Sequence, residues 1–157
     1  NNGLRKDWNY YQRENHGSVP LIAEYDAIHF VFNAYNFPNK ERLLNPSIKA
    51  DSVVKKHFQN VSKVFGYKLI PPESQVNDLG YYCLQNKLYD NANALFKMNI
   101  VHFPFSSNTY DSMGELLMNK GDTIGAIEYY EKSLKMDPLN VNAVKMIKML
   151  KTRSQLN

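Results

Sequence analysis

The stretch Arg13-Glu14-Asn15-His16-Gly17-Ser18-Val19-Pro20-Leu21 sets a histidine in a short polar loop just ahead of a run with helical periodicity. An imidazole so placed has the chemistry of a general base, since its ordinary pKa lies near neutrality and a loop leaves it free to face a reacting group. The nucleophile it would serve is missing from these residues: no Gly-x-Ser-x-Gly turn occurs in the chain. The other histidines, His29, His57 and His102, have no cysteine or carboxylate at metal-ligand spacing, so they are expected to be helix-face or packing residues with no metal or cofactor. A single cysteine, Cys83, excludes an internal disulfide framework.

The elements that would carry such a histidine start with Trp8-Asn9-Tyr10-Tyr11-Gln12-Arg13-Glu14, aromatic-rich and short enough for a strand. A helix follows. Leu21, Tyr25, Ile28, Phe32 and Tyr35 form one stripe, while Ile22, Phe30 and Val31 make much of the remaining circumference apolar. A helix apolar on so many sides is expected to pack against two layers, such as a sheet and a covering layer. Pro38 and Pro46, set in polar filler, mark a domain boundary. Beyond it Val54, Phe58, Val61 and Phe65 predict a helix, with Asp51 or Ser52 as its N-cap and Gly66 as its stop. Pro71 and Pro72 then predict a stiff extended bridge.

From Glu73 onward the chain repeats itself. Aligning 73–106 with 107–140 places Leu79 over Met113, Gly80 over Gly114, Ala92 over Ala126, Phe96 over Tyr130 and Pro104 over Pro138. Two antiparallel helices approach closely only where facing residues are small, so the glycines and alanines are expected at crossings. Leu79, Phe96, Met113 and Tyr130 are the expected buried wedges, and the prolines end each unit. Gly121 and Asp122 supply a tight turn in the second unit. Val141, Val144, Met146 or Ile147, and Leu150 predict one further amphipathic helix, its lysines opposite the apolar stripe, suited to cap an array.

This period resembles the tetratricopeptide repeat, a helix–turn–helix unit of 34 residues. Two departures stand out: Asn99 occupies a position where that family places a small residue, and Lys87 replaces the turn glycine. By the family pattern Asn77, Tyr81, Asp111 and Glu115 face the ligand groove. The two carboxylates oppose an acidic ligand and suit a basic or neutral segment. The front of the chain, Asn15 to Leu21 together with Tyr25 to Phe32, resembles the end of the α/β-hydrolase domain in the esterase D-like serine esterases, a group that includes siderophore esterases. Phe65-Gly66-Tyr67, Pro71-Pro72-Glu73 and Tyr110 to Glu115 resemble members of that group with a tetratricopeptide-type extension. In that family the histidine follows the last strand. The resemblance therefore implies that His16 is the general base of an intact parent, with serine, acid and oxyanion hole in residues outside this chain.

The expectation is thus an all-α chain: a terminal strand and helix remnant of an α/β-hydrolase at 1–37, a linker and connecting helix at 38–72, two tetratricopeptide-like repeats at 73–140 and a capping helix at 141–157. Such a chain is inactive alone. The alternative is an independent adaptor that binds a protein or peptide. A periplasmic or secreted location follows from the family resemblance, and the opening Asn1-Asn2-Gly3 suggests a trimmed chain whose leader is not visible.

Charge divides unevenly along the chain. The net +4 comes from a basic stretch at 41–72, with six Lys/Arg against two Asp/Glu, and a basic tail at 141–157, with four against none. Residues 73–140 are acidic, with five against nine. The tail cations sit where a helix dipole favours them, which argues against a nucleic-acid surface. The basic stretch is the expected intramolecular partner for the acidic groove, locking the repeats to their own hydrolase domain. With 43% hydrophobic residues and no apolar run of about 18 to 20 residues, no membrane span is expected.

Overall fold

The computed structural model describes residues 8–15 and 17–155, and among these it is all-helical, with no strand. The chain divides into two compact units, Asn1–Pro38 and Asn39–Asn157.

The first unit contains α1 (Val19–Phe32) and a 3-10 turn at Asn33–Tyr35. Asn15 organises the entry to α1: its side-chain oxygen accepts from the backbone N–H of Gly17 at 2.8 Å and of Ser18 at 3.2 Å. Pro20, in the first turn, needs no amide partner there. Residues 8–15 are not the expected strand but a loop with a turn at Gln12 and Arg13. The physical reason is that a strand must pair its backbone groups with a neighbour, and no second strand exists among the described residues. Nor is α1 sandwiched between layers within this unit. None of its residues is buried, and Leu21, Tyr25 and Ile28 are 73%, 68% and 61% exposed.

The second unit begins with a 3-10 turn at Lys40–Leu44 and continues through α2 (Ala50–Phe65), α3 (Glu73–Gln85), α4 (Tyr89–His102), α5 (Ser107–Asn119), α6 (Thr123–Met136) and α7 (Val141–Gln155). The N-cap of helix α2 lies two residues ahead of Asp51, the nearer expected cap: Lys49 occupies that position with no side-chain cap, and Asp51 instead pairs with Lys55 at 2.9 Å. Gly66, at φ +77°, stops it as a left-handed C-cap. Short connections fold α3 back on α4 and α5 back on α6, and α4 packs on α5, so two helical hairpins lie side by side.

Each hairpin closes at a glycine. A Cβ placed on Gly80 would overlap the Phe96 ring, and one on Gly114 would stand 3.0 Å from the Tyr130 ring. Phe96 and Tyr130 are fully buried, with Leu79 and Met113 buried beside them. The third layer is α7, but it rests on Ala143 and Leu150, with Met146 and Ile147 alongside, against Ala126 and Tyr130. Val141 and Val144, expected in the buried stripe, are 78% and 51% exposed. The helix is rotated so that its small alanine meets α6, and the valines at its start are left outside.

The basic stretch docks on the hairpins, though not on the acidic face. Helix α2 packs on α4 through Ala50, Val54 and Phe58, and the turn at Lys40–Leu44 packs on α3. Asn91 locks this in place, donating to the Leu43 carbonyl at 2.9 Å and accepting from the Ala50 amide at 3.4 Å.

Candidate functional site

His16 lies outside the described residues, so its geometry carries no argument. The segment that follows it has one feature of interest: the Tyr11 hydroxyl donates to Asp26 at 2.7 Å, beside a recess of about 480 Å³ lined by Trp8, Asn9, His29 and Phe30. His29 stacks on Tyr25, with ring centroids 6.2 Å apart. Among the described residues this recess brings together a carboxylate and an imidazole but no serine, threonine or cysteine.

The four predicted groove residues do converge, on the face shared by α3, α5 and the start of α7. Tyr81 and Asn77 are one turn apart on α3, as are Asp111 and Glu115 on α5, because positions i and i+4 share a helix face. The Tyr81 hydroxyl donates to Glu115 Oε2 at 2.9 Å, and the Ser112 hydroxyl donates to Asn77 Oδ1 at 2.8 Å. These bonds tie the first hairpin to the second. Asp111 ties the second hairpin to α7: its two oxygens accept from Asn140 at 3.1 Å and from Asn142 at 2.7 Å. Asn140 also donates to Ser133 at 2.8 Å and accepts from the Ala143 amide at 3.1 Å, so it caps α7 while bridging to α6.

The electrostatics of this face follow from burial. Asp111, half-buried, has its carboxyl pKa raised by loss of water, an effect that the bonds from Asn142 and Asn140 partly offset. Burial, and then the nearby carboxylates, push the Tyr81 phenol above its ordinary range. Tyr130 is pushed up in the same way, first by burial, then by Asp111, Glu115 and Tyr81. Its hydroxyl is shut off from water and has no hydrogen-bond partner, although it sits in the field of two carboxylates. Such an orphaned hydroxyl costs roughly 1–3 kcal/mol. Neither Asp111 nor Glu115 forms an ion pair; the two salt bridges of the described residues are Lys55–Asp51 and Lys151–Glu131.

Sequence reasoning found the carboxylates but not Tyr130, which the repeat pattern marked only as a wedge. The signal was available in the residue type, because a tyrosine where the first unit has phenylalanine brings a hydroxyl that needs a partner. It also missed Asn140 and Asn142, whose role depends on where α7 begins. Cys83 is buried, its thiol 4.0 Å from the Leu43 carbonyl and pushed up to about 11 by desolvation, which disfavours the thiolate. No protein-family model matches the chain, and the search of curated proteins returned no match.

Proposed function

We propose that this chain is the C-terminal docking region of a serine carboxyl-ester hydrolase, with residues 73–140 forming two tetratricopeptide-like repeats and 141–157 their capping helix. The observation that carries the repeat reading is the paired closure of Gly80 on Phe96 and Gly114 on Tyr130, with Tyr81 reaching Glu115 one period along the chain. Two helical hairpins built on one spacing bury a continuous core only by stacking, and their exposed faces then serve recognition. Support for the hydrolase part is more local: the residue pattern around His16, and α1, a helix apolar on most sides with no fully buried residue. Such a helix fits the interior of a larger domain. With no Gly-x-Ser-x-Gly nucleophile in its sequence, the chain by itself is an interaction region rather than a catalyst.

The test is hydrolysis of p-nitrophenyl acetate by this chain and by the full product of its gene. Activity in the full product alone supports the reading. Turnover by the isolated chain contradicts it, as does an inert full product.

A second reading, an adaptor that binds a separate protein, is favoured by one observation. The basic stretch that could have neutralised Asp111 and Glu115 is engaged on α3 and α4 instead, and the acidic face keeps its charge. A pull-down with the whole chain that returns a stoichiometric partner supports this reading, and a chain that remains unaccompanied counts against it.

A further inference from the structure

Where α2 seats on α4, a recess of about 360 Å³ stays open between the two helices. Its wall has two chemistries. Ala94, Met98 and Val101 form an apolar side, while Lys55 from α2 and Asn93, Lys97 and His102 from α4 supply hydrogen-bond donors. Among the described residues Asp51 is the one carboxylate of this wall, and it is paired with Lys55 at 2.9 Å, so Lys97 is left without an anion. Like charge gathers here at a cost: the His102 imidazole has its pKa lowered by burial, and then by Lys55 and by Lys68 on the bridge after α2. Cations collected on a concave wall that holds too few anions of its own mark a binding site rather than a packing contact. We propose that this recess binds a small organic phosphate, a phosphate monoester carried on an apolar body. The proposal goes beyond both readings above and depends on neither.

The charge balance of the wall selects a dianion. Lys55, Lys97 and the field of Lys68 stand against the single charge of Asp51, and a carboxylate ligand would leave part of that excess in place. Lysine holds phosphate as a point charge and asks for no fixed plane, so ammonium groups on two helices can share one phosphate group. Asn93 and Lys97 lie one turn apart on α4, where an amide and an ammonium can serve neighbouring oxygens. Neutral His102 adds one more N–H donor. The apolar side fits the body of the ligand: Met98 is buried behind it, and Val101, 74% exposed, has apolar surface still to cover. A recess of this volume lies at the small end of ligand pockets, suited to one ring and one phosphate.

The experiment titrates the full chain with phenyl phosphate at about pH 7.5, where a phosphate monoester is largely dianionic, with ionic strength held constant by sodium chloride, and follows backbone amide shifts by NMR. Saturable shifts at residues 55, 93, 97 and 102, with a Kd of about 1 mM, are the expected result. Phenol carries the ring without the charge and should cause no shifts there. Inorganic phosphate carries the charge without the ring and should bind about fivefold more weakly. Lys97→Gln should weaken phenyl phosphate binding about fivefold, whereas Lys145→Gln, an exposed lysine on α7, should leave it unchanged. Asp51→Asn removes the opposing carboxylate and releases Lys55, so it should tighten binding about threefold. No saturable shifts at these residues, equal losses from Lys97→Gln and Lys145→Gln, or unchanged or weaker binding in Asp51→Asn each overturn the phosphate site. Equal affinity for phenyl phosphate and inorganic phosphate, or phenol shifts that match those of phenyl phosphate, overturn the assignment of an organic phosphate as its ligand.

Discussion

The hairpin of α3 and α4 and the hairpin of α5 and α6 solve the same packing problem with different local chemistry. In the second, Gly121 turns the chain at φ +82°, and Asp122 caps α6 by accepting from the Gly125 amide at 2.9 Å. In the first, Lys87 occupies the equivalent place at φ +60°, and Leu88 precedes α4 with no side-chain cap. A lysine in the left-handed region carries a steric cost that glycine does not. The turn is therefore imposed by the contact of Gly80 with Phe96 and by the helices on either side, rather than favoured by its own residues. The first hairpin compensates by side-chain bonding. Asn99, fully buried where the second hairpin has Ser133, donates to the Glu73 carbonyl at 2.9 Å, and the Glu73 carboxylate accepts from Ser106 and Asn108. Local turn chemistry and tertiary contacts are thus interchangeable routes to one geometry.

The largest effect that would break this pairing is loss of a wedge. Phe96→Ala should destabilise the second unit by about 3–5 kcal/mol, read by urea denaturation, because the cavity lies at the crossing of α3 and α4. The glycines sharpen the comparison. Gly80→Ala should cost about 2–3 kcal/mol and Gly114→Ala about 1 kcal/mol, since the added carbon would overlap the Phe96 ring in one case and only touch the Tyr130 ring in the other. Equal costs in thermal melts would mean that the two crossings are equally tight. At the turns, Lys87→Gly should stabilise by about 0.5–1 kcal/mol and Asp122→Ala should destabilise by about 1 kcal/mol, which would make the two hairpins more alike.

The smallest expected effect is a pH dependence at the end of α4. His102 has its pKa lowered, first by burial and then by Lys55 and Lys68, so the folded state binds its proton less readily than the unfolded chain. Its contribution to stability is complete above about pH 6.5 and is lost as pH falls through the lowered folded value. Asp111 acts with the opposite sign. Its raised pKa means that ionisation weakens the fold as pH climbs from about 3.8 through the folded value. Stability measured between pH 7 and 5 should therefore fall with acid, and His102→Gln should flatten that slope.

The helical character of the chain, the crossing points and the buried wedges were legible in the sequence, because apolar spacing and the glycine–aromatic pairing are properties of neighbouring residues. The resemblance to the tetratricopeptide pattern, rather than apolar spacing, places Asn77, Tyr81, Asp111 and Glu115 on a common face. What they bond to was not legible. The partners of Asp111, for example, come from Asn140 and Asn142, about thirty residues away, and depend on the rotation of α7. The same holds for the basic stretch. Charge counted along the chain pointed it at the acidic face, but the apolar side chains of α2 seat it on α4, because burying Val54 and Phe58 outweighs attraction between charges that water screens. Sequence periodicity determined which faces of each helix are apolar. Only the tertiary structure decided which faces meet, because that choice balances burial, steric fit and desolvation over residues distant in the chain.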